Sequence, residues 1–244
     1  YTLEFVGSVR MCIRDRFLNF FTDPYFGRLL KNTFLISGLT ILFGFPAPII
    51  LALMINEVKN SAFKRTVQTI TYMPYFISMV VLCGLLKTFC MQDGLFAQIA
   101  VLFGGKAQNY LANPAYFRTI YVLSDIWSGI GWNSIIYLAA LSSIDQEQYE
   151  AARVDGANRF QQMLHITLPG LVPTIMVLFI LRMGNILNVG YEKILLLYNS
   201  ATYSTADVIS TYTYRLSFGG SGNPMYSKST AIGLFLSLIH ISEP

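Results

Sequence analysis

Two charges and a few amides sit in stretches that are otherwise apolar. Asp125 is the one charged residue in Thr119–Leu141, and Arg182 the one in Ile166–Leu187. A charge in hydrocarbon is costly, so such residues face protein, a cavity or water, and they mark function. Arg182, Asn185 and Asn188 recur at i, i+3 and i+6, one face of a helix; Trp127, Trp132 and Asn133 can face them. Amides bond hydroxyls and aromatic rings carry pyranose faces, so the set suits a sugar path. Two other readings stay open: Trp marks the membrane interface, and Asn bonds helix to helix. If one run goes inward and the next outward, Asp125 and Arg182 lie at similar depth, roughly 8 Å in. They then pair, or line one polar cavity, unless Arg182 snorkels outward and Asp125 meets interfacial water.

The elements that position these residues follow from composition. Hydrophobic residues make up 54% of the 244 and charged ones 12%, with mean hydropathy +0.50; soluble domains carry about 25% charged residues. A bilayer core about 30 Å thick needs roughly 20 apolar helical residues. Thr33–Ile55, Thr66–Leu86, Thr119–Leu141 and Ile166–Leu187 are long enough, and Ser229–Ile239 is a shortened fifth. Period-2 alternation is missing and irregular backbone cannot face lipid, so the spans are helices. The fold class is therefore an all-α polytopic membrane protein with about five membrane helices. Residues 1–32 form a polar N-terminal segment, and 33–241 the membrane domain with a polar loop at 142–169. The chain starts without Met, in a polar stretch, as though an earlier helix preceded it.

Other classes fit less well. There is no paired intramembrane aspartate, H-E-x-x-H or Ser/His arrangement in the spans for a membrane enzyme. Cys12, Cys83 and Cys90 are an odd count without metal spacing, and His165 and His240 stand apart. A net charge of +4 without a dense basic tract excludes nucleic acid as a partner. Pro46, Pro48, Pro74 and Pro173 either kink their spans or reflect the abundance of Pro in membrane helices. Thr205–Leu216 reads as a short helix lying on a membrane surface, and Tyr198, Tyr203, Tyr212 and Tyr214 suit either an interface or a protein-docking face. Lys and Arg do not orient the chain. Lys59, Lys64, Arg65, Arg153 and Arg159 in the short loops match Lys87, Lys106, Arg118, Lys193 and Arg215 in the long connections.

The loop 142–169 has its own capping chemistry. Asp145 can cap a helix over Gln146–Asp155, with Gln148 reaching back as in a capping box and Glu147 complementing the dipole. Gly156 ends that helix. Asn158 with Gln161 starts a second one, and Pro169 falls near the start of the next span. Ala151 and Ala152 leave a small-residue patch on a short exposed helix. Geometry alone also allows an amphipathic helix resting on the membrane.

Glu150-Ala151-Ala152, three residues, Gly156, nine residues, then Ile166-Thr167-Leu168-Pro169 resembles the EAA loop of binding-protein-dependent ABC importer permeases. Ile120–Trp127, Ile135–Leu141 and Glu192–Asn199 are similar to the polysaccharide- or maltose-type carbohydrate branch. The resemblance covers roughly Phe17–Leu238. It implies a type I importer helical bundle in the bacterial plasma membrane, with this loop in the cytoplasm. It makes Glu150, Ala151, Ala152, Gly156, Leu168 and Pro169 the ATPase-coupling residues. The implied partners are ABC ATPase subunits, a second permease, an extracytoplasmic substrate-binding protein and membrane lipid. With no P-loop in this chain, ATP and Mg belong on the ATPase, and no cofactor is expected here. The implied function is a carbohydrate permease subunit rather than an enzyme; the alternative is a non-sugar cargo. Family members carry a membrane helix ahead of this chain's start and a complete last helix, and neither is expected here. Val9–Arg16 and His240–Pro244 also fit the family pattern poorly.

Overall fold

A computed structural model describes residues 15–187, 189–219 and 225–241; Cys12, Asn188 and most of Val9–Arg16 lie outside the described residues, as do the side chain of His240 and all of 242–244. The described residues are mostly helical, with no strand among them. In chain order the principal helices are α1 Phe26–Glu57, α2 Ser61–Tyr72, α3 Met79–Cys90, α4 Leu95–Leu102, α5 Pro114–Ser142, α6 Gln146–Val154, α7 Arg159–Gly184, α8 Tyr191–Leu197, α9 Ile209–Phe218 and α10 Tyr226–Ile241. Among the described residues, three stretches combine the length and apolarity needed to cross a membrane: α1, Met79–Leu102 and α7. The 29-residue α5 reaches about 44 Å, also enough to span, but Arg118, Asp125 and its Ser, Gly and Trp residues dilute its hydropathy.

The apolar run Thr66–Leu86 is not one span. α2 starts where Asn60 caps it, its Oδ1 accepting from the N–H groups of Ala62 and Phe63 at 3.0 and 3.2 Å. It buries no residue and stops at Tyr72; a 3₁₀ turn with Pro74 follows, and Ile77 is extended. Pro74 lacks the N–H that would continue the helical ladder, so the chain restarts as α3. Beyond it, Thr205–Leu216 divides at Asp207 into a single turn, Tyr203–Ala206, and α9.

Two compact units make up the chain. One comprises 1–38, 79–121 and 184–244; the other comprises 39–78 and 122–183. In the first, Phe20, Leu29, Ile209, Tyr212 and Ile232 form the core. Two ion pairs brace it: Lys228 to Asp23 at 2.6 Å, and Arg215 to Asp207 at 2.7 Å, with the Asp207 side chain wholly buried. Lys193 is also buried, its ammonium donating to the Tyr121 carbonyl at 3.1 Å and lying 4.6 Å from the Tyr121 ring centroid. In the second unit, Ala52, Tyr137, Leu141 and Leu171 form the core, with Ile49, Ile144 and Leu178 packed on it. Two glycines set helix spacing there. A Cβ on Gly131 would lie 2.1 Å from the Thr71 carbonyl oxygen, and one on Gly170 would lie 2.7 Å from Ile144.

Two of the long helices, α1 and α7, contain a π turn next to proline. Thr40–Gly44 precedes Pro46 in α1, and Met163–Thr167 precedes Pro169 in α7. The Leu168 N–H reaches back five residues to Met163. A widened turn of this kind accommodates a residue that cannot donate. Pro169 therefore lies inside a continuous helix starting at Arg159, not near the start of a span. Pro173 is also interior to α7.

Candidate functional site

The polar loop folds through local chemistry. Asp145 is extended and accepts from the Glu147 N–H at 3.0 Å. It thus caps α6 through the second helical N–H, and the cap does not use Gln148. α6 buries no residue. Its end is a Schellman turn: Ala157 N–H donates to Ala152 O at 2.9 Å, and Gly156 N–H to Arg153 O at 3.1 Å. Gly156 has φ +77°, and no atom lies within 4 Å of where a Cβ would be. The backbone thus demands glycine for its dihedral, not for space. Asn158 and Gln161 form the expected capping box, with reciprocal bonds of 2.8 and 2.9 Å.

Glu150, Ala151 and Gly156 are exposed, and Ala152 is half-buried. Leu168 and Pro169 are separate from them, on α7 beyond its π turn. One hydrogen bond links the two parts: the Tyr149 hydroxyl meets that of Thr167 at 3.0 Å, and Thr167 is buried. Sequence reasoning passed over Tyr149, and also the exposed apolar residues Val154 (88%) and Phe160 (67%). An apolar side chain at a helix C-terminus reads as packing until its exposure is seen. Arg159 pairs with Glu57 at 3.8 Å, placing the C-terminal end of α1 on this loop's side.

A cavity of about 150 Å³ opens in the same unit, lined by Asp125, Asn133 and Arg182 together with Phe45, Tyr137 and other apolar residues. Asp125 and Arg182 thus share a lining. They do so without an ion pair, because Arg182 forms none among the described residues; Asp125 is engaged by another group. Asn133 crowds Gly129, where a Cβ would lie 3.2 Å from its Nδ2.

The remaining candidates lie elsewhere. Trp127 is half-exposed and off the lining. Trp132 stacks on Tyr75, centroids 4.7 Å apart and planes 4° from parallel, and meets Phe76 edge-on. Neither partner was apparent from the sequence, since only the break at Pro74 brings them there. The Arg182–Asn185–Asn188 stripe does not form as expected. α7 ends at Gly184, Asn185 lies in the turn beyond it, and Asn188 lies outside the described residues. Helical spacing no longer applies once the helix has stopped.

Residues 44–241 match the family described as "Binding-protein-dependent transport system inner membrane component". The chain is similar to Protein LplB of Bacillus subtilis (strain 168), 44% identical over 93% of this chain and 71% of that one. It is 42% identical to the polygalacturonan/rhamnogalacturonan transport system permease protein YteP of the same organism, over 91% of this chain and 69% of that one. Among solved structures, a bacterial ABC transporter involved in the import of the acidic polysaccharide alginate superimposes with TM-score 0.90 and 44% identity, covering 98% of this chain and 86% of that one.

Proposed function

Because the chain belongs to the family of binding-protein-dependent transport system inner membrane components, we propose that it forms part of the membrane path of an ATP-driven carbohydrate importer. The observation that carries the coupling half of this reading is the exposed helix α6. It is closed at both ends by its own caps, and Val154 and Phe160 are left bare for an ATPase subunit to cover. The Tyr149–Thr167 bond ties that helix to α7, and α7 carries Arg182 to the cavity. A push on α6 has a direct mechanical route to the path.

The cavity supports the other half. At about 150 Å³ it is smaller than the roughly 300 Å³ lower bound of a small-molecule site, which suits a half-site completed by a second permease. Asn133 and Tyr137 can bond hydroxyls, and the Arg182 guanidinium suits a carboxylate-bearing sugar of the kind the similar importers' names describe. An extracytoplasmic binding protein, present in a solved complex of the alginate importer, would deliver it.

The test is uptake of radiolabelled galacturonate oligomers by cells carrying the intact importer. Wild type should accumulate them. Gly156→Val, strained by about 1–2 kcal/mol in the left-handed region, should lose most uptake and release the ATPase on purification. Full uptake by the variant would sink the coupling role. No uptake of any oligosaccharide by wild type would sink the cargo and turn attention to a non-sugar solute.

A further inference from the structure

The π turn of α1 runs into two prolines that free backbone oxygens. In an α-helix each carbonyl accepts from the N–H four residues on. Pro46 and Pro48 have no N–H, so the carbonyls of Leu42 and Gly44 lose their helical donors. The Phe45 N–H reaches Ile41 O at 3.2 Å, and regular helix resumes at Pro46. Gly44 lies about 20 Å along the helix from its end at Glu57, well inside a bilayer core about 30 Å thick. Backbone without a helical partner is not tolerated against lipid at that depth; it persists where it lines a cavity or packs in protein.

The two carbonyls differ in their surroundings. Gly44, Phe45 and Pro48 line the cavity that holds Asp125 and Arg182, whereas Leu42 and Pro46 are exposed and off that lining. The carbonyl of residue 44 runs along the helix toward residue 48, so it lies on the strip between two lining residues. Gly44 is half-buried and has no side chain, so what it shows the cavity is backbone. Neither packing nor backbone strain asks for glycine here. A Cβ would lie 3.6 Å from Thr40 Cγ2 and 3.8 Å from Ile126 Cγ1, both ordinary contacts, and φ is not positive. A bare carbonyl accepts a hydrogen bond and cannot donate one. It suits a hydroxyl and repels a carboxylate, the converse of the Arg182 guanidinium in the same lining.

Resting on the carbohydrate path proposed above, we propose that the Gly44 carbonyl, freed by Pro48, is a specificity-determining acceptor for a cargo hydroxyl. The test is initial uptake of tritiated trigalacturonate, below saturation, by proteoliposomes holding the complete importer and its binding protein. Pro48→Ala and Pro48→Val both return an N–H to the helix, and Val keeps most of the bulk. Each should lower uptake about three- to ten-fold, the worth of one hydrogen bond, while the melting temperature of the purified importer holds or rises. Pro46→Ala, which returns the N–H facing Leu42 instead, should leave uptake unchanged. Full uptake in both Pro48 variants would overturn the acceptor. So would an equal loss in Pro46→Ala, which assigns the effect to helix flexibility. A loss that Pro48→Val restores, or one that comes with a lower melting temperature, would assign it to packing and overturn the acceptor as well. Indifferent Pro48 variants beside an active wild type strike the acceptor alone; a wild type that takes up no sugar strikes the carbohydrate reading and the hydroxyl acceptor with it.

Discussion

Asp23 shows how much one side chain can hold together. Burial alone would lift its pKa, but the Lys228 ammonium, the Tyr25 N–H and the Tyr212 hydroxyl outweigh that and keep it below the ordinary 3.8. A carboxylate depressed in this way stabilises the fold above its ordinary pKa and loses that contribution as pH falls through the folded value. Protection of the amides across the first turns of α10, taken relative to their intrinsic exchange rates, should therefore be constant from neutral pH downward and fall only below 3.8. Asp23→Asn should lower that protection at neutral pH; a variant matching wild type there would refute the brace. Little of this was legible beforehand. Asp23 and Lys228 are 205 residues apart, and nothing in local pattern links residues so distant. Gly156 and the Asn158–Gln161 pair are the opposite case, because caps are built from residues three or four apart and can be read directly.

At the scale of elements, α2 and α5 touch through backbone. Gly131→Ala would place a methyl 2.1 Å from the Thr71 carbonyl, and a helix carbonyl cannot swing away as a side chain can. The expected cost is about 1–3 kcal/mol of overpacking, with α5 displaced from the turn that carries Tyr75. Trp132 would lose its stack, seen as a shift in tryptophan emission together with reduced uptake. An unchanged spectrum would mean that the rings hold each other without the helix contact. The helices themselves divide by what hydropathy measures. α1, α5 and α7 were expected from composition, within a turn or two at their ends. The run across Pro74 was equally apolar, yet it breaks, since hydropathy counts side chains and is blind to a missing N–H. The stripe beyond Arg182 failed for a related reason: Gly184 ended the helix before the period could repeat.

For the whole molecule, the sidedness of the chain is the quantity that Lys and Arg left undecided, and α6 makes it measurable. Val154 is 88% exposed at the end of that helix. In a background without the native cysteines, Val154→Cys should react with membrane-impermeant maleimide only in inside-out vesicles, and added ATPase subunit should protect it. Labelling of intact cells would reverse the topology. The turn that ends α6 has one more consequence. A Cβ added to Gly156 would meet open space, so bulk at that first atom is not what is selected. What the backbone selects is handedness: a positive φ is the natural state of a mirror-image residue, and the ordinary side chains of proteins have the wrong hand for it.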